Sequence, residues 1–371
     1  MNLVEFLSPQ KLIFILKAII GLGFLIGLHE FGHFLFCKLF KVKTPTFSIG
    51  CGPRLITKKI GDTEFSLSAI PIGGYVEIAG MAEVGQGEQK EAKRTDKYSF
   101  AAKPYYQKMI IMSGGILFNI LFTYLAFILL FATGFPKSDM IPISAKPVIE
   151  EIVAGSPAQK AGLQPGDRIL KFNDIDIEDN AITLMSEIRN HPDETANLLI
   201  ERNNQQETVD IHIGHKDIQG KKFGTIEAAF EMQDLKPLPF FESIKRGINL
   251  TNRLIYGIII AFKNLFVTRD TSQMAGPISI ISEMSKAASK GFGIFLILLA
   301  IISINLAILN LIPLPIFDGG QMLFYTIEAI LGRSLPIKVR EGIHIVSWVL
   351  VMLLILYLSG KDILRIFWPK K

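Results

Sequence analysis

The sequence predicts a multi-pass α-helical membrane protein: four transmembrane helices, an inserted α/β domain outside the bilayer, and a small membrane-associated β hairpin. Three observations carry that prediction. The 371-residue chain has a mean hydropathy of +0.37 although 20% of its residues are charged, so its apolar residues are gathered into blocks. Residues 109–136, 291–317 and 342–360 contain no Lys, Arg, Asp or Glu, and a span needs about 20 apolar residues. Between the second and third of the four spans, residues 147–230 change to short alternating apolar runs with charges restored. This composition argues against a disordered chain, a disulfide scaffold and an ordinary soluble enzyme.

The first span, 12–36, is apolar but contains Lys17 and then His29, Glu30 and His33. An ionisable group at mid-bilayer costs about 3 kcal/mol on insertion scales. Three together near the end of a helix therefore need a use. The segment lacks the basic start, short apolar core and small-x-small site of a signal peptide, so it is expected to stay as a span. The 37–108 loop that follows holds twelve Lys and Arg, including Lys38, Lys41, Lys43, Arg54, Lys58 and Lys59. Such loops face the cytosol. The same bias accounts for the net charge of +5 without invoking nucleic acid. Both termini and the long 137–290 segment are then expected outside, although Lys361, Arg365, Lys370 and Lys371 argue the other way. Cys37 and Cys51 fall in or beside this basic loop, where thiols stay reduced, and carry no framework.

Within the outer region, 148–153 reads as a strand, Ser156-Pro157 as the cap of a short helix and Pro165-Gly166-Asp167 as a turn into a strand over 169–172. A helix is expected over 180–190 and a hairpin over 196–202 and 207–213. The stretch AGLQPGDRIL resembles a bacterial PDZ domain. PDZ domains take extended peptide ends as an added strand; a spacer or size filter is the bland alternative. His212 and His215 lie three apart on one expected strand, hence on opposite faces, and read as surface residues. Residues 231–290 read as a linker with an interfacial or re-entrant helix, since the apolar run 254–262 is too short to span.

The chemistry-bearing motif is LHEFGHF. His29 and His33 stand four apart, on one face of a helix and one turn from each other. Two such imidazoles can hold one Zn²⁺, with Glu30 as the general base of an H-E-x-x-H hydrolase. Two surface histidines beside a carboxylate are the bland alternative, weakened by the apolar surroundings. A catalytic zinc needs a third protein ligand and an open position. His191, His212 and His215 lie in the outer domain, and His344 has no acidic companion. Asp318, in NLIPLPIFDGG after the third span, is the better candidate. Pro313 and Pro315 interrupt helical hydrogen bonding before it, and Gly319 and Gly320 allow close backbone approach. Asn310, two turns earlier, could bind substrate backbone, orient a ligand or simply join helices. The segment 65–79, with Pro71, Gly73 and Gly74 at a bend, reads as a membrane-dipping hairpin whose edge could receive an unwound substrate; a hairpin that only packs the loop is the alternative.

HEFGH in a first span, NLIPLPIFDGG after a later one and a PDZ-like domain between resemble the site-2 protease family of intramembrane zinc metalloproteases, above all its bacterial regulator-of-sigma-E branch. The resemblance covers about residues 12 to 360. It implies four parts: 1–136 with two spans, the metal motif and the β loop; 147–230, PDZ-like; 231–290; and 291–371 with the last two spans. It implies zinc on His29, His33 and Asp318, acid–base work by Glu30 and substrate contact by Asn310. It implies cleavage of transmembrane segments of an anti-sigma factor or of signal-peptide remnants. It also implies a bacterial inner membrane, with the PDZ-like domain outside and the active site near the cytosol. The chain departs from the branch in having room for one PDZ-like domain rather than two. Phe317 replaces Leu, and Gly114-Gly115…Asn119 replaces Gly-Pro…Asn. Rival readings are a non-catalytic membrane receptor or chaperone sensing peptides through the PDZ-like domain, a metal transporter, and an anchored protease acting on soluble peptides.

Overall fold

The computed structural model describes residues 8–81, 89, 91–177, 181–218, 221–268 and 274–367; Lys370 and Lys371, named above for their charge, lie outside them. The chain divides into two compact units, one of Met1–Ile128 and Arg246–Lys371, the other of Leu129–Lys245. Among the described residues, four helices are long and apolar enough to cross a membrane: Pro9–Leu39, Tyr105–Thr133, Phe292–Asn310 and Lys338–Arg365.

In the first unit, α1 (Pro9–Leu39) starts on Ser8, whose hydroxyl accepts from the Lys11 amide, with Pro9 at the first helical position. Its inward face is lined with glycine: Gly21, Gly23, Gly27 and Gly32 are all buried. At Gly32 the helix meets α2 (Tyr105–Thr133) backbone against backbone, because a Cβ on Gly32 would strike the Gly114 carbonyl. Further along α1, Ala18 and Leu25 pack with Met284 of α6 (Pro277–Ser289) and Leu299 of α7 (Phe292–Asn310).

Between α1 and α2 lie β1 (Thr46–Ile60) and β2 (Thr63–Val76). The stretch expected to be a hairpin by itself, 65–79, is mostly one strand whose partner is β1; the tight turn is at Gly61. Both strands break and fold back, so that Phe47–Ile49 is flanked by 65–67 on one side and by 74–76 on the other. The bend at Gly73, with φ of 90°, makes this return possible. Sequence pattern missed β1 because Gly50, Gly52 and Pro53 interrupt its alternation. Phe34, Phe47 and Phe65 close against one another beneath the sheet, and several apolar tips, among them Leu55, Ile56 and Ile60, stay exposed.

After α7 comes an irregular turn into α8 (Asp318–Leu331), then α9 (Ile337–Phe367). Gly319 and Gly320 sit so close to the carbonyls of Leu311 and Leu314 that side chains there would collide. Gln321 donates to the Pro315 carbonyl at 2.7 Å, and Arg340 of α9 donates to Gln321 and to the Tyr325 hydroxyl. The turn before Asp318 is thereby pinned from both sides.

The second unit contains β3 (Ala145–Ile152), α3 (Pro157–Lys160), β4 (Arg168–Phe172), β5 (Ile175–Asp176), α4 (Ala181–Asn190), β6 (Thr195–Arg202), β7 (Gln205–His212), β8 (Gly214–Ile218), β9 (Lys221–Thr225) and β10 (Ala228–Met232). The sheet runs β10-β3-β4-β6-β7, with β5 beside β4. Ser156 caps α3 through the Gln159 amide. Asp167, 1% exposed, receives two hydrogen bonds from the Arg202 guanidinium at 2.7 Å, which locks the Pro165-Gly166-Asp167 turn against β6. The core behind the sheet is Ile149, Ile169, Phe172, Leu184, Leu198 and Ile211. His212 and His215 do not share a strand: His212 ends β7, and His215 sits in β8 paired with Asp193.

The helix expected over 254–262 belongs to a longer one, α5 (Phe240–Thr268). Its apolar residues Phe241, Tyr256 and Ile259 are exposed. The sequence window saw only the uninterrupted apolar core of α5, because Arg246, Arg253 and Lys263 mask the rest of the amphipathic period.

Candidate metal centre

His29 and His33 project from the same face of α1 and are both buried. Their Nε2 atoms are 3.2 Å apart, and the rings stand edge to face at 78°. Asp318, first residue of α8, closes a triangle: one carboxylate oxygen is 3.2 Å from Nε2 of His29 and the other 3.4 Å from Nε2 of His33. A tetrahedral zinc with bonds of about 2.0–2.1 Å keeps its donors about 3.3–3.4 Å apart. The separation of the two Nε2 atoms and the approach of one Asp318 oxygen to each ring lie near that edge length, with a different carboxylate oxygen facing each histidine.

The surroundings fit a metal as well. The Nδ1 of His33 donates to the Ile111 carbonyl at 2.8 Å, which leaves Nε2 with its lone pair free. The Oδ2 atom of Asp318 is buried and makes no well-formed hydrogen bond although Nε2 of His29 is 3.2 Å away, and a cation held by both atoms would satisfy them. One coordination position of a tetrahedral ion would remain open.

Glu30 lies next to this triangle, and its charge is coupled to His29, His33 and Asp318. Gly74 lies against the same side chain: a Cβ there would stand 3.6 Å from Cγ of Glu30 and 2.8 Å from the Ser48 carbonyl oxygen. The folded-back end of β2 therefore borders the site, which brings Gly74 and its neighbour Gly73 to it. Asn310 is the last residue of α7, partly buried, at the start of the turn that leads to Asp318. Pattern reading did not single out Ile111, whose carbonyl orients His33, and it named Gly115 only as a departure from the family pattern, whereas a Cβ there would run into the His29 ring. A backbone carbonyl leaves no trace in a sequence; a Gly-Gly pair inside an apolar span does.

The sequence profile of Peptidase family M50 matches residues 17–354. The chain belongs to that family, the site-2 proteases. This M50 peptidase is 31% identical over 355 residues to a Fusobacterium nucleatum protein named as a zinc metalloprotease, covering 95% of this chain and 99% of the relative. It is 27% identical over 425 residues to the zinc metalloprotease RasP of Geobacillus kaustophilus, covering 95% and 98% respectively. The solved PDZ domain of an SdrC-like protein from Listeria monocytogenes aligns with 24% of the chain at 15% identity and a TM-score of 0.20, too low to bear on the fold.

Proposed function

We propose that this zinc-dependent intramembrane endopeptidase holds its metal on His29, His33 and Asp318 and uses Glu30 as acid and base. The observation that carries the reading is the buried cluster in which the two Nε2 atoms are 3.2 Å apart and each faces an oxygen of Asp318, at 3.2 and 3.4 Å, with Glu30 beside it. When bound, zinc supplies Lewis acidity toward the scissile carbonyl and makes water acidic enough to be used near neutral pH. The Glu30 carboxylate takes the proton of the attacking water and returns it to the leaving amide nitrogen.

A transmembrane substrate hides its carbonyls in helical hydrogen bonds and must unwind locally. The 74–76 end of β2 suits the unwound strand. It is paired with Phe47–Ile49 on one side, no described strand covers the other, and it borders Glu30. Gly73 and Gly74 let substrate backbone come close there, and Asn310 offers an amide at the exit of α7. The exposed apolar tips of β1 support association of this sheet with the membrane surface.

The unit of Leu129–Lys245 is PDZ-like in this reading, with β10 as the sheet edge that accepts a peptide end. The charge bias of the loops supports a bacterial inner membrane, the PDZ-like domain outside and the metal near the cytosolic side. Substrates are then transmembrane segments of an anti-sigma factor or signal-peptide remnants. A non-catalytic receptor gives no account of the donor triangle.

Glu30→Gln tests the assignment. The variant should keep stoichiometric zinc and lose cleavage of a transmembrane model substrate by about 10²–10⁴-fold. Cleavage at the original rate would remove Glu30 from the chemistry.

A further inference from the structure

We propose that Asn119 is a positioning residue for His29: its side-chain oxygen accepts a hydrogen bond from Nδ1–H of the ring and so presents Nε2, lone pair free, to the metal. The inference rests on the metal assignment above and adds to it the element that orients the first imidazole.

Asn119 lies on α2 and is completely buried. Its amide nitrogen is 3.4 Å from Nδ1 of His29, while its amide oxygen, equally buried, has no hydrogen-bond partner. A half-turn of the amide exchanges these two atoms and leaves everything else in place. In the present arrangement the amide donates to Nδ1, which puts the ring proton on Nε2, toward Asp318 and His33. A metal on Nε2 requires the opposite tautomer, with the proton on Nδ1. The turned amide accepts that proton and also satisfies the orphaned oxygen.

His33 reaches the same end by a fixed route, through the Ile111 carbonyl. The two ligand rings are thus served by acceptors two turns apart on one helix. Two hydroxyls hold the backbone of Asn119: Thr123 and Ser303 both donate to its carbonyl, at 3.1 and 2.9 Å, and Ser303 belongs to α7. One turn earlier, Gly115 leaves no side chain between α2 and the ring. The His29 ring is therefore laid on the α2 backbone, and Asn119 is the group that sets its proton.

The test measures zinc affinity of the full-length chain in detergent by competition with a chromophoric chelator, alongside the thermal melt of the metal-free form. Asn119→Leu should weaken zinc binding by about 10–100-fold. Asn119→Asp, which keeps an acceptor, should bind zinc at least as tightly as the unaltered chain, and the metal-free melts should coincide. Asn119→Ala gives the same readout if the leucine variant does not accumulate. Affinity within about twofold of the original in the leucine or alanine variant overturns the inference, as does equal weakening by aspartate. His29→Ala separates the two levels. Loss of zinc in His29→Ala with none in Asn119→Leu overturns this inference alone, and zinc retained in His29→Ala overturns the metal assignment beneath it.

Discussion

The carbonyl oxygen of Ile111 accepts a hydrogen bond from Nδ1 of His33 at 2.8 Å, across the crossing of α1 and α2. That bond selects the tautomer of a proposed metal ligand from a helix that contributes no ligand itself. It exists because Gly32 and Gly114 let the two backbones touch. The site thus depends on helix packing as much as on its three donors.

Gly115→Ala tests this dependence. The new Cβ would meet the His29 ring, and overpacking of this kind costs about 1–3 kcal/mol. Zinc affinity and melting temperature should both fall. Gly21→Ala is the comparison, because its Cβ meets the side-chain ends of Phe295 and Leu299, which can turn aside. It should keep zinc; equal losses in both variants would mean that the crossing at Gly115 is not special.

The sheet edge is tested by Gly74→Val. A side chain there would press on the Ser48 carbonyl and on Glu30. Cleavage of a transmembrane substrate should fall by at least about tenfold while zinc stays bound, since none of the three donors lies on β2; tenfold corresponds to about 1.4 kcal/mol of lost transition-state stabilisation. Unchanged turnover would assign substrate positioning elsewhere.

In the second unit, Arg202→Met strands a buried carboxylate. Removing one partner of a buried pair costs about 3–5 kcal/mol, enough to unfold a small domain. Limited proteolysis of the full chain should cut within 129–245 at lower temperature, and zinc content should not change. The double change Asp167→Asn with Arg202→Met should recover most of the loss.

Much of this architecture was legible in the residues. Charge-free runs announce spans because lipid tolerates no unpaired charge, and three of the four long helices overlap those runs, while the first carries Lys17 and Glu30 within its apolar stretch. The i, i+4 histidines announced a shared face, and Asp318 after a Pro-interrupted turn announced a partner; the structure brings all three together. Less legible was whatever depends on pairing across the chain. β1 carries glycines that break its alternation, and only its contact with β2 makes it a strand. α5 extends far beyond its apolar core because one face suffices to support it. The Asn119–His29 contact joins residues 90 apart in sequence, and no local pattern reports it.

Zinc content of the purified chain is the most direct test of the central claim. The unaltered protein should carry one zinc per chain, and Asp318→Ala combined with His33→Ala should carry none while its helical content is unchanged. A full equivalent of zinc retained by the double variant, or none in the unaltered protein after reconstitution, would contradict a metal held between α1 and the head of α8.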